Sequence, residues 1–165
     1  MQTNRTALQV SVKVGALKDA KAQALMVGVF DKGEIGGGLL DDIEAISPVS
    51  LRGMIEGREV RGEFKEYTLV HLGKNKPVER VILMGMGKKG DFYLDKIRSA
   101  SAKAARTLRK AYVNEMMVAV NTFPGFAPDV IAQAVVEGTI MGLFRSIKYT
   151  EKEDARASLT QVVFL

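Results

Sequence analysis

The chain has 165 residues, no cysteine and a net charge of +5 from 24 basic and 19 acidic residues. Its 47% hydrophobic and 26% charged composition is globular, and the length suits one domain, residues 1–165, able to bury a core without staples. The missing cysteine excludes a disulfide framework, a thiol nucleophile and a thiolate metal site.

Residues 1–8 are polar and show no signal-peptide pattern, and no apolar run reaches the roughly 18 residues of a membrane helix. A cytoplasmic location with no membrane partner is expected. The positive charge is dispersed, so nucleic acid is not indicated as a partner.

Leu8, Val10, Val12 and Val14 alternate with polar residues, which predicts a strand near an edge with one buried face. Residues 24–30 are apolar throughout and predict a central strand. Gly33 and Gly36-Gly37-Gly38 predict a turn. Leu39, Leu40, Ile43 and Ile46 then fall at helical spacing, with Asp41, Asp42 and Glu44 toward the helix start, where the dipole favours them. Ser47-Pro48 reads as the cap and first residue of a second short helix, with Leu51, Met54 and Ile55 as its stripe and Gly57 as its stop.

After a charged loop over 58–65, Tyr67 to Leu72 and Val81 to Met86 predict adjacent antiparallel strands. Val81 to Met84 are too few for a helix and too uniform for a strand with a wet face, so this second strand is buried on both faces. Residues 94–112 predict a basic amphipathic helix with Leu94, Ile97, Ala104, Ala105 and Leu108 inward and Lys96, Arg98, Lys103, Arg106, Arg109 and Lys110 pointing elsewhere. Residues 115–120 predict a fifth, central strand. Residues 129–147 predict a helix apolar nearly all round and buried on more than one side. Its Gly138 and Gly142 suit tight packing on the sheet. A charged linker over 148–156 and a closing strand over 159–165 complete the chain. The bare apolar strand at the end suggests a chain cut from a longer protein.

Strands alternating with helices place the chain in the α/β class. Gly85, Gly87 and Gly90 have the literal spacing G-x-G-x-x-G after a strand. A dinucleotide site would place the third glycine at the helix start and an acidic residue about 20 positions on. Here Asp91-Phe92-Tyr93 intervenes and the acidic residue is missing, so a tight turn is the simpler reading. Gly36, Gly37 and Gly38 are the second candidate phosphate cradle. His71 is the one histidine, and one histidine cannot build a His-based metal site. Asp41 and Asp42 diverge by about 100° on a helix, so Asp41, Asp42 and Glu44 read as a solvated helix start rather than a cluster for Mg²⁺ or Mn²⁺. No catalytic or metal residue is assigned.

The order of segments resembles a known family. It runs through Val27-Gly28-Val29-Phe30, Leu51-Arg52-Gly53 with Glu56-Gly57, and Leu69-Val70-His71-Leu72. It continues with Arg80-Val81-Ile82-Leu83-Met84-Gly85-Met86-Gly87-Lys88, then Glu137-Gly138, Gly142-Leu143-Phe144-Arg145 and Lys148-Tyr149. Over about residues 8–165 this is similar to the N-terminal domain of the M17 leucyl aminopeptidases. The resemblance implies a three-layer αβα domain with a mixed, mostly buried sheet, like that of macro domains. It also implies a C-terminal catalytic domain with two divalent ions, zinc or manganese, and a hexamer. The family signature Asn-Thr-Asp-Ala-Glu-Gly-Arg is not met, because Asn121-Thr122 is followed by Phe123-Pro124-Gly125.

Three readings therefore compete. The first is a non-catalytic domain that packs against a catalytic domain and supports oligomers. The second is a nucleotide or ADP-ribose module using the two glycine loops. The third is a nucleic-acid module using the basic helix.

Overall fold

The computed structural model describes residues 7–144 and 159–165. Six strands, β1 Gln9–Val12, β2 Ala24–Phe30, β3 Tyr67–His71, β4 Arg80–Gly87, β5 Glu115–Val118 and β6 Gln161–Phe164, form one sheet in the order β1-β6-β5-β2-β4-β3. All neighbours pair in parallel except β3, which runs antiparallel to β4. Helices α1 Leu39–Ile46 and α2 Leu51–Glu56 cover one face; α3 Leu94–Lys110 and α4 Pro128–Leu143 cover the other. This is the three-layer αβα arrangement with a mixed sheet expected from the sequence.

The alternation of side chains explains why β2 and β4 are apolar end to end. Met26, Phe30, Ile82 and Met84 enter the core under α3 and α4. Leu25, Val27, Val29, Val81 and Leu83 enter the one under α1 and α2.

Five expectations need correction. β1 is an edge strand, but none of its residues is buried: Val10 is 50% and Val12 73% exposed. Among the described residues it pairs only with β6, and Leu8, just before it, is what reaches the α3/α4 core. The second helix begins at Leu51, capped by Ser50, whose Oγ accepts from Gly53 N at 3.0 Å. Ser47 instead closes a local turn onto Val49, accepting from its N–H and donating to its carbonyl.

α4 is not buried on more than one side. Ile140 and Met141 are 54% and 66% exposed, while Ile131, Ala134, Val135, Gly138, Thr139 and Gly142 form the buried side. Ile147 and the 148–156 linker lie outside the described residues. Gly138 and Gly142 pack on α3, not on the sheet. A Cβ at Gly138 would lie 2.3 Å from the Arg98 carbonyl oxygen, and one at Gly142 2.4 Å from that of Ala102.

Lys96 does not point outward. It is 7% exposed; its Nζ donates to the Met86 carbonyl at 3.1 Å and lies 4.9 and 5.5 Å from the Phe64 and Tyr93 ring centroids. A carbonyl at the end of β4 and two ring faces supply what water would otherwise give the ammonium.

One ion pair joins α3 to α4, and a second lies within α3. Arg98 on α3 donates to Asp95 Oδ1 at 2.8 Å and to Glu137 Oε2 on α4 at 2.6 Å. Those hydrogen bonds raise the guanidinium pKa further. Hydrogen bonds from Gln133 and Arg98 hold the Glu137 carboxyl below the usual range.

Candidate functional site

The carboxyl ends of β2, β4 and β5 are where connections diverge. From β2 the chain passes through Asp31–Gly33 and the glycine turn to α1 on one face. From β4 it passes through Lys89–Asp91 to α3, and from β5 through Val120–Thr122 to α4, both on the other face. A divergence of this kind opens the crevice where open α/β sheets take ligands.

Aromatic packing floors the crevice. Phe92 meets Phe30 edge-on at 5.0 Å, lies nearly parallel to Phe123 at 6.5 Å and meets Phe126 at 5.7 Å. Thr122 ties the loop after β5 to strand β2. Its Oγ1 accepts from Gly28 N at 3.1 Å and donates to the Ala119 carbonyl at 2.7 Å, all of it buried. A buried N–H left without that acceptor would cost about 1–3 kcal/mol. Across the mouth, Lys89 pairs with Glu34 and lies 5.8 Å from the Phe30 ring centroid.

The two glycine loops meet here in different states. Gly85 and Gly87 lie inside β4, and their N–H groups donate to the Glu66 and Gly62 carbonyls at 2.9 and 2.8 Å. The chain over 61–66 therefore covers this end of β4. Arg61 braces that stretch through Glu66 at 2.8 Å and Glu63 at 3.3 Å, contacts that raise its pKa. Burial pushes the Glu66 carboxyl up, but the hydrogen bond and charge of Arg61 bring it below the usual range. Gly90 lies in the exposed Lys89–Asp91 turn.

Gly36, Gly37 and Gly38 differ. Among the described residues no hydrogen bond is made by their N–H groups. Gly37 has φ 69° and presses on Asn121, whose Nδ2 would lie 2.5 Å from an added Cβ. Gly38, at φ 68°, precedes α1 without a side-chain cap. The turn thus presents free amides beside the Asn121 side chain, which suits an anion. Glu34, Asp41 and Asp42 nearby along the chain oppose one.

The carboxylates of α1 serve the joint with α2. Asp41 pairs with Arg52, and Glu44 Oε1 accepts from Arg52 N at 2.6 Å and Ser50 Oγ at 3.3 Å. His71 is exposed on the edge strand β3. Among the described residues no three His, Cys, Asp or Glu side chains gather as metal ligands. The resemblance places its two divalent ions in a C-terminal catalytic domain, and no catalytic step is derived through them.

Sequence reasoning found the two glycine loops and missed the rest of the crevice. Thr122, the phenylalanine cluster and the covering stretch over 61–66 come from separated segments and carry no local spacing signal.

Residues 26–153 match the model of the cytosol aminopeptidase family, N-terminal domain. A probable cytosol aminopeptidase of Geobacter sulfurreducens is 25% identical over 94% of this chain, and one of Gloeothece citriformis is 31% identical over 70%. The chain covers 31% and 24% of those two relatives, so it spans no more than about a third of their length. Among solved structures, a tomato leucine aminopeptidase mutant superposes with TM-score 0.76 at 14% identity, over 99% of this chain and 33% of its own. The macrodomain of Mycobacterium tuberculosis DarG superposes with TM-score 0.66 at 16% identity, over 96% of this chain and 98% of its own. These two likenesses establish the fold alone. No helix among the described residues is long and apolar enough to cross a membrane. The matched stretch covers most of the chain, which belongs to the cytosol aminopeptidase family as its N-terminal domain.

Proposed function

We propose that the chain is a non-catalytic domain of a cytoplasmic, metal-dependent leucyl aminopeptidase. Residues 1–165 form one domain that packs against a C-terminal catalytic domain and supports a hexamer. The catalytic domain carries the two divalent ions, zinc or manganese. The observation that carries this reading is the family match to an N-terminal domain in relatives about three times longer. The use of Asp41 and Glu44 in the α1–α2 joint supports it. The purified 165-residue chain is expected to give no turnover of leucyl p-nitroanilide with added Mn²⁺ or Zn²⁺. It is also expected to co-elute with a separately expressed catalytic domain of its parent. Metal-dependent hydrolysis by the chain itself would overturn the reading.

A second reading, a nucleotide or ADP-ribose module, rests on the free amides of Gly36–Gly38 beside Asn121. The neighbouring carboxylates weigh against it. Calorimetry with ADP-ribose, NAD and ATP is expected to show no heat at millimolar ligand. Heat that disappears in Gly37→Val, whose side chain would fill the turn, would establish this second reading.

A further inference from the structure

β3 ends the sheet, so its outer edge pairs with no strand among the described residues. Such an edge presents a row of N–H and C=O groups ready to pair with another extended chain. Leu69 packs toward α3, whereas Val70 enters the opposite core. Strand alternation therefore turns Tyr67 and His71 toward α3 as well.

Between this edge and α3 lies a groove of about 390 Å³ lined by Tyr67, Lys103, Arg106, Thr107 and Lys110, among others. A second groove of about 480 Å³ shares Lys103 and Arg106 and extends it toward Phe64 and Lys65. Lys65, Lys103, Arg106 and Lys110 make no ion pair among the described residues. Positions 103, 106 and 110 share one helical face and span about 10 Å, near the roughly 13 Å covered by three alternate strand positions, a difference that long lysine and arginine side chains can bridge.

We propose that the β3 edge and the cationic face of α3 together form a docking site for an extended acidic peptide. The peptide would add as a seventh strand beside β3, with carboxylates at alternate positions facing Lys103, Arg106 and Lys110. Main-chain hydrogen bonds supply affinity in this mode, and alternate side chains supply specificity. Two observations favour a peptide over nucleic acid. Lys103 Nζ already sits 5.0 Å from the Tyr67 ring centroid, so a base stacking on that face would have to displace the ammonium. The unpaired strand edge matches a peptide backbone and has no counterpart in a phosphodiester.

The test is fluorescence anisotropy with a labelled, end-blocked peptide of alternating glutamate and valine. An alternating lysine–valine peptide and a single-stranded thymidine oligonucleotide are titrated alongside. The glutamate peptide is expected to bind, and to weaken as salt is raised. Charge reversal by Lys103→Glu with Arg106→Glu should cost about tenfold or more in affinity while leaving the circular dichroism unchanged. Hydrogen exchange at residues 67–71 should slow in the complex. The proposal is overturned if the glutamate peptide does not bind, or if the reversed variant binds it equally well. It is also overturned if the oligonucleotide binds more tightly, or if protection falls elsewhere. Should the double variant lose its fold, Lys110→Gln and Lys103→Gln singly carry the same comparison.

Discussion

Gly142→Ala is expected to destabilise the chain by about 2–4 kcal/mol, and the pair Gly138→Ala with Gly142→Ala to bring it close to unfolding, given ordinary domain stabilities. Two effects of opposite sign meet here. Alanine is the better helix former by about 1 kcal/mol per site. Against that, the new methyl groups would sit 2.4 Å from the Ala102 carbonyl oxygen and 2.3 Å from that of Arg98. Both obstacles are backbone atoms of a helix and cannot rotate away, so α3 and α4 must separate. Separation opens the core under the two helices, to which α3 contributes Ile97, Ala104, Ala105 and Leu108 and α4 contributes Ile131, Ala134 and Val135, all fully or nearly fully buried. It also stretches the Arg98–Glu137 pair. The clash therefore outweighs propensity. The two sites lie one turn apart on the same contact, so the second substitution should add less than the first. Urea unfolding followed by circular dichroism reads the effect. A variant as stable as the parent chain would mean that the helices do not approach as closely as the two glycines require.

The sheet was largely legible in the sequence, because a strand pressed by helices on both faces has to be apolar at every position. That rule exposes β2 and β4 directly, and the antiparallel β3–β4 pair follows from a short turn over 74–77. Position within the sheet was harder. The valines of β1 alternate as a half-buried strand should, yet they stay exposed because burial depends on what lies opposite, which alternation does not encode. The same limit explains Ile140 and Met141, apolar but on the open side of α4. Lys96 was misplaced for the complementary reason. Its burial depends on the Met86 carbonyl and on Phe64, a residue some thirty positions earlier in the chain that no helical pattern reports. In the crevice, glycine spacing located both turns but could not tell a free amide from an occupied one. The stretch that occupies Gly85 and Gly87 reads in the sequence only as a charged loop.

That occupancy leads to the second large effect. In Gly85→Ala the added carbon would lie 1.9 Å from the Glu63 carbonyl oxygen and 3.0 Å from the Gly62 carbonyl carbon. β4 is held between β2 and β3 and cannot retreat. The stretch over 61–66 must therefore lift. Lifting breaks the bonds from Gly85 N to Glu66 and from Gly87 N to Gly62, and removes Phe64 from the Lys96 ammonium. The Arg61 pairs with Glu63 and Glu66 lie within the stretch and can travel with it. Water can reach the freed amides, so the loss is expected to be about 1–3 kcal/mol and local rather than global. Trypsin cleavage after Arg61 and Lys65 should therefore accelerate by about tenfold or more, and exchange at the Gly85 and Gly87 amides should quicken, with only a modest fall in Tm. Unchanged proteolysis would show that these amides are not held by the covering stretch. It would also reopen the 85–90 turn as an anion cradle, because such a cradle needs the same N–H groups that Glu66 and Gly62 now engage.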